Sequence, residues 1–381
     1  MKIPFGRPIL GEAERAAVLK VMAGPQLVHG PAAKQFEADF GSYTGGHATS
    51  VSSCTTGLHL AYVHLGIVPG DEVIVPAQTH VATAHVVAHT GATPVFVDCD
   101  PETGNISAAR IAKVLTPRTK AISVVHYLGL PVDMAPIMEL ARSRNLFVVE
   151  DAALSLGATY NGVHTGLIGD AGCFSFYPVK HITTSEGGMF VSRHQDIISR
   201  IEKLKSFGYD KQVGERTVPG HYDVNLLGYN YRLSEIACAI GVEQMKKLPR
   251  FLEQRAQNYA ALKAALVDVA ELRILASDGD AVRKGSHYCL AIVLADRIAS
   301  KRREIIGSIN GKGVGTSIYY PVPVPLTALY KNDLANVPEA FPNALRISQQ
   351  SIALPVGPHL NPDDMKTVAQ AVKAAILECR S

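Results

Sequence analysis

Between residues 48 and 192 short runs rich in β-branched and aromatic residues recur, separated by longer stretches with helix-compatible spacing. The runs are EVIVP, PVFVD, KAISVV, LFVVED, GCFSF and GMFVS, and between several of them lie VATAHVVAHTG, SAARIAKVL and MAPIMELARSRN. Runs this short and this continuously apolar read as strands buried on both faces. Their alternation with helical stretches predicts a mainly parallel sheet covered by helices. In such sheets ligands collect at the carboxyl ends of the strands.

Beyond residue 240 the texture changes. PRFLEQRAQNYAALKAALVDV reads as a long amphipathic helix, and NPDDMKTVAQAVKAAILECR as a terminal one. In the terminal helix Asn361 is the expected N-cap, Pro362 occupies N1, and Met365, Val368, Val372 and Ile376 form one apolar stripe. Between the two helices, SHYCLAIVL and GTSIYYPV read as strands. The expected fold class is therefore α/β, with a large domain over residues 15–244 and a smaller α+β domain over residues 245–381 joined by residues 1–14.

Composition narrows the function classes. With 381 residues, 47% of them hydrophobic and 19% charged, and with no long like-charge run, the chain reads as neither disordered nor nucleic-acid binding. The net charge of +3 suits anionic small-molecule ligands without requiring them. The N-terminus lacks a signal-peptide layout, and no apolar run approaches the roughly 20 residues that span a bilayer. A cytoplasmic protein is expected. The cysteines at 54, 99, 173, 238, 289 and 379 contain no CxxC pair, so reduced thiols are expected, with neither a metal site nor a disulfide framework.

The stretch FSFYPVKHITTSEGGMF places one lysine, Lys180, between two apolar runs. Such a lysine is ordinarily solvated. In a partly desolvated setting its amine becomes a nucleophile able to form an imine with an aldehyde cofactor, of which pyridoxal phosphate is the natural candidate. That cofactor also needs a carboxylate at its ring nitrogen, donors for its phosphate and a flat group over its ring. Asp151 ends the run LFVVED and is compatible with the carboxylate role or with a helix N-cap. In VSSCTTGLHLAY the amides around Thr55 and Thr56 can bind phosphate at a helix N-terminus, or simply cap it. Ser175 can add a hydroxyl or be a plain strand residue, and His80 can stack on the ring or be structural.

Together these blocks resemble the DegT/DnrJ/EryC1/StrS sugar aminotransferases, fold-type I pyridoxal-phosphate enzymes acting on keto-sugar nucleotides. The resemblance runs through ILGEAERAAVLKVM, HGPAAKQFEADF, LGIVPGDEVIVPAQTHVATAHVVAHTGATPVFVDCD, VVHYLGLPVDM, VEDAALSLGA, SFYPVKHITTSEGGMF and LGYNYRLSEIACAIGVEQMKKL. It implies that Lys180 holds the cofactor as an imine and moves the proton, and that Asp151 contacts the ring nitrogen. It further implies that Ser175 and the Thr55/Thr56 turn bind phosphate, that His80 covers the ring, and that Asn230 reaches the phosphate from the neighbouring subunit of a homodimer. The implied reaction carries an amino group from L-glutamate, through the pyridoxamine form, to a keto-sugar nucleotide, with a 4-keto-6-deoxy sugar favoured. The product class is amino sugars for polysaccharides or natural products. Lys211, Arg216 and His221, in SFGYDKQVGERTVPGHYDVN, are candidates for a nucleotide diphosphate or belong to a solvated linker. His181 is a further candidate for substrate contact.

Some positions depart from the family pattern. Leu154 stands where Gln or His is common, Cys54 and Ser185 where glycine is usual, and Pro325 and Cys289 where histidine often occurs. A sugar 3-dehydratase would carry histidine in the Lys180 slot, and a catalytically idle regulatory homologue would fit the loss at Leu154. A Rossmann dehydrogenase would require GxGxxG where SSCTTG stands.

Overall fold

The apolar runs become one seven-stranded sheet in the computed structural model, which describes residues 2–211, 218, 220–333 and 335–379. Its strands are β1 (His47–Val51), β2 (Glu72–Pro76), β3 (Thr93–Val97), β4 (Thr119–Val125), β5 (Phe147–Asp151), β6 (Ala171–Ser175) and β7 (Gly188–Ser192). They are ordered β1-β7-β6-β5-β4-β2-β3. Strands β6, β5, β4, β2 and β3 run parallel, whereas β7 is antiparallel to both β6 and β1.

The period-2 geometry of a strand explains why these runs are apolar without alternation. Val73 and Val75 pack in one core with Leu58 and Leu60 of the helix Cys54–Leu65 and Val86 and Val87 of the helix Val81–His89. Ile74, between them, packs on the other face with Ile137 and Ala141 of the helix Met134–Arg144. Ile122 and Val148 join that second core, and Ala121 and Val149 the first. Each fully buried Val or Ile removes enough apolar surface to contribute about 1.5–3 kcal/mol.

The C-terminal region forms a second, antiparallel sheet of β8 (Leu272–Ile274), β9 (Leu290–Leu294) and β10 (Ser351–Leu354), in that order. Asn361 caps the helix Pro362–Glu378 by accepting from the amides of Asp363 and Asp364 at 2.9 and 3.1 Å. Met365, Val368, Val372 and Ile376 are all buried, in a core that also takes in Ile3. The helix Glu235–Leu266 runs unbroken through residue 245, so a division of the chain there would fall inside a continuous element.

Three segments differ from their expected form. SAARIAKVL is helical only over Ala108–Ile111, and turns follow from Ala112. The long helix begins at Glu235 and carries Pro249 inside it. GTSIYYPV contributes only an isolated bridge between Ser317 and Ala353. The carbonyl of Tyr319 in that segment instead accepts from Gln78 Nε2 and from the Tyr127 hydroxyl, which binds it away from a strand ladder. No helix among the described residues is long and apolar enough to cross a membrane, and all six cysteines are buried free thiols.

Candidate active site

Asp151 ends β5, at the carboxyl edge of the sheet, and is 6% exposed. No helix starts there, which removes the N-cap reading. Its Oδ2 accepts from the Thr83 hydroxyl at 2.8 Å. Its Oδ1 accepts from the Ala153 amide at 3.1 Å and from the Cys54 thiol at 3.9 Å. The neighbouring Glu150 points to the other face, where it accepts from His126 Nε2 at 2.7 Å and from the amides of Gly166, Ile168 and Gly169. Because His126 Nδ1 accepts from the Val132 amide, its proton sits on Nε2 and faces Glu150. This anchored pair fixes the end of β5 and so the direction of Asp151.

Lys180 lies in the turn between β6 and β7, half-buried, with its ammonium 5.5 Å from the centroid of the Tyr288 ring. Burial pushes its amine below the ordinary lysine range, opposed in part by the charge of Asp151. That is the condition under which a lysine acts as a nucleophile.

Beside this pair, Ser53 caps the helix Cys54–Leu65. The Thr56 amide donates to Ser53 Oγ at 3.1 Å, and the Thr56 hydroxyl donates to the Ser53 carbonyl at 2.8 Å. Both donors of Thr56 are thus committed to the cap. The amides of Cys54 and Thr55, at N1 and N2, precede any intrahelical acceptor and carry the partial positive charge of the helix end. A Cβ on Gly188 would come within 2.5 Å of Cys54 N, so only glycine lets β7 lie against this turn. Ser175 ends β6 with its Oγ accepting weakly from the Tyr177 amide at 3.4 Å.

His80 is the N-cap of the helix Val81–His89 and accepts from the Ala82 amide at 3.2 Å. Its ring meets Tyr320 edge-on at 5.7 Å, and burial lowers its pKa, with Asp151 acting in the opposite direction. A neutral ring beside Tyr320 is therefore available at the mouth of the site. Asn230 is exposed and accepts from Arg232 Nε at 2.9 Å. Its neighbour Tyr231 brings that segment to the turn before the helix Cys54–Leu65, where its carbonyl accepts from the Ser52 amide at 2.8 Å.

Lys211 and His221 are exposed on the segment after β7, and Arg216 lies outside the described residues. His181 is buried and its Nε2 donates to the Ser286 carbonyl at 3.1 Å. Among the departures from the family pattern, Leu154 is a core residue whose carbonyl accepts from Ser286 Oγ at 2.9 Å. Cys289 and Pro325 are buried. Cys54 places its sulfur 3.4 Å from the Cys173 carbonyl. Ser185 holds φ +73°, a left-handed conformation that favours glycine.

The sequence reading missed Thr83, Gln78, Tyr127, Tyr288 and Tyr320. Thr79, just before the N-cap His80, and Thr83, in the first turn of the helix Val81–His89, bond each other at 2.8 Å, and two threonines at the start of a helix were the available signal for the Asp151 support. The tyrosines carry no comparable local signal.

An amine of lowered basicity, an anchored carboxylate and an open helix N-terminus at the edge of one parallel sheet fit pyridoxal phosphate. No group of three or more His, Cys, Asp or Glu suited to a metal occurs among the described residues. Residues 8–373 match the model of the DegT/DnrJ/EryC1/StrS aminotransferase family. The chain belongs to that family. The spore coat polysaccharide biosynthesis protein SpsC of Bacillus subtilis is 34% identical over 376 residues, covering 97% of this chain and 96% of its own length. GDP-perosamine synthase of Caulobacter vibrioides is 36% identical over 340 residues, covering 87% and 89%. Among solved structures, the PMP form of Spr1654 from Streptococcus pneumoniae superposes with a TM-score of 0.93 at 26% identity, covering 99% of this chain and 100% of its own. The chain is thus an α/β protein of the sugar aminotransferase family, with pyridoxal phosphate as the cofactor the family indicates.

Proposed function

We propose that this aminotransferase moves an amino group from L-glutamate to a keto-sugar nucleotide, with a 4-keto-6-deoxy sugar as acceptor, in amino-sugar biosynthesis. The observation that carries the reading is the pairing of a partly desolvated Lys180 amine with an anchored Asp151 carboxylate beside the open N-terminus of the helix Cys54–Leu65. The relationship to GDP-perosamine synthase, whose name specifies a nucleotide-linked product, and to a polysaccharide biosynthesis protein supports the substrate class.

Pyridoxal phosphate, when bound, supplies an electron sink for the pair left as the donor α-carbon loses its proton. Lys180 would hold it covalently and, once released, its Nζ would take the proton from the donor α-carbon and pass it to the carbon that had carried the cofactor's aldehyde. Asp151 would set its carboxylate at the ring nitrogen, and Thr83 and the Ala153 amide hold that carboxylate still. The Cys54 and Thr55 amides, the Thr55 hydroxyl and Ser175 would hold the phosphate, with Asn230 reaching the equivalent site of a second copy. His80 would cover the ring face. Lys211 and His221 meet the nucleotide diphosphate. The protein acts as a cytoplasmic homodimer.

The test is amino transfer from L-glutamate to a panel of 3-keto and 4-keto nucleotide sugars, read by mass spectrometry of the sugar product. A 4-amino product on a nucleotide sugar supports the reading. Release of 2-oxoglutarate with amination of none of the panel sends the acceptor to another class.

A further inference from the structure

Gln78 lies between β2 and the helix Val81–His89, two residues before His80, and is 1% exposed. Its side chain bonds three residues that are distant in sequence. Nε2 donates to the Tyr127 hydroxyl at 3.0 Å and to the Tyr319 carbonyl at 2.9 Å, and Oε1 accepts from the Ser348 hydroxyl at 3.1 Å. A side-chain amide has two N–H donors, so both are spent and the orientation of the group is fixed. The Tyr127 hydroxyl in turn donates to the same Tyr319 carbonyl. Beside Gln78, the carbonyl of Ala77 accepts from the Val324 amide at 3.0 Å. The stretch from Tyr319 to Val324 is therefore fastened at both ends to two consecutive residues of one loop.

Tyr320 lies inside that stretch, half-buried, with its ring 5.7 Å from that of His80. Burial pushes its phenol well above the ordinary range and the charge of Asp151 adds to the shift, so the hydroxyl keeps its proton at neutral pH. An apolar ring with a hydroxyl tip suits a sugar, which offers C–H faces to the one and oxygens to the other. The Lys180 side of the site is tied separately. The Tyr319 hydroxyl bonds the Tyr288 hydroxyl at 2.8 Å, and Tyr288 is the ring that the Lys180 ammonium approaches. Gln78 takes no part in that bond, so its loss would free Tyr320 and leave Tyr288 in place.

We propose that Gln78 is a positioning residue for the sugar acceptor, holding Tyr320 against His80 as one wall at the mouth of the site. The inference rests on the proposed acceptor class and adds a residue that acts on the acceptor only through Tyr320.

The experiment compares wild type with Gln78→Met, which removes all three bonds at similar volume, and with Ser348→Ala, which removes only the bond that does not lead to Tyr319. Stopped-flow follows the two half-reactions apart: the pyridoxal form with L-glutamate, and the pyridoxamine form with the keto nucleotide sugar that wild type aminates. Gln78→Met is expected to raise the KM for the sugar about 10-fold or more, as a small misplacement remote from the chemistry does, and to leave the glutamate half-reaction within about 2-fold. Ser348→Ala keeps both at the wild-type level. Tyr127→Phe, which takes one donor from the Tyr319 carbonyl, shifts the sugar KM in the same direction by less and serves if Gln78→Met does not fold. An equal loss in both half-reactions, or an unchanged KM for the sugar, overturns the assignment. If wild type aminates no sugar of the panel, the proposed acceptor fails, and a crystal structure of Gln78→Met decides the positioning by itself. Tyr320 displaced from His80 supports it, and Tyr320 unmoved overturns it.

Discussion

The Thr83 hydroxyl donates to Asp151 Oδ2 at 2.8 Å and lies 2.8 Å from the Thr79 hydroxyl. Thr83 has one proton and Asp151 as a carboxylate only accepts, so the order of donation is Thr79 to Thr83 to Asp151. Thr83→Val removes that donor at nearly constant volume. A hydrogen bond to a charged group is worth about 1.5–3 kcal/mol, so amino transfer should fall about 10- to 100-fold in kcat. Thr83→Ser should restore most of it, as measured by stopped-flow reaction with glutamate.

Asp151→Asn keeps the shape and loses the charge. The Lys180 bond to the cofactor should still form, and turnover should fall about 100- to 1,000-fold because a neutral amide cannot stabilise a cationic ring nitrogen. Turnover equal to wild type would leave Asp151 a structural residue that fixes Thr83 and Ala153.

Burial holds the Lys180 amine below the usual lysine range, while the Asp151 charge acts to raise it. The neutral amine is the reactive form, so association of pyridoxal phosphate with the apoprotein should reach its plateau at a lower pH than aldehyde addition to an exposed lysine. Removing the Asp151 charge withdraws the raising influence. In Asp151→Asn the midpoint of the pH–rate profile should therefore move lower still.

A stability prediction comes from the N-terminal segment. Burial alone would raise the pKa of Glu14, but its bonds with Lys247, Gly11 and Gln244 outweigh that and bring it from 4.5 to about 2. A carboxyl whose folded pKa is depressed stabilises the fold fully above its unfolded value and loses that contribution as pH falls through the folded one. Urea midpoints should drop between about pH 4.5 and 2, and Glu14→Gln should flatten that part of the curve while lowering stability at pH 7.

Ser185 sits exposed at φ +73°. Ser185→Gly relieves the steric cost of that conformation, offset in part by the added freedom of the unfolded chain. A net gain of about 0.5–1 kcal/mol is expected in denaturant unfolding, with activity unchanged.

The strands were legible because their local pattern and their burial agree: every residue from Glu72 to Pro76 is buried on a sheet covered on both faces. Asp151 and Lys180 were legible because each ends or follows such a strand at the edge where ligands gather. Arg255 was hidden inside an amphipathic helix, where it reads as one more polar position. Its burial and the bond from its Nη1 to the Tyr288 carbonyl at 2.9 Å arise only in the folded chain. GTSIYYPV failed as a strand for the same reason, since the bonds from Gln78 and Tyr127 to Tyr319 join residues about two hundred positions apart.

The most direct test of the central role of Lys180 is the visible spectrum of purified protein with pyridoxal phosphate, before and after L-glutamate, in wild type and Lys180→Ala. Wild type should show the band of lysine-bound cofactor, lose it on adding glutamate and release 2-oxoglutarate, while Lys180→Ala shows no such band and loses turnover by several orders of magnitude. Near-normal amino transfer by Lys180→Ala would contradict the assignment.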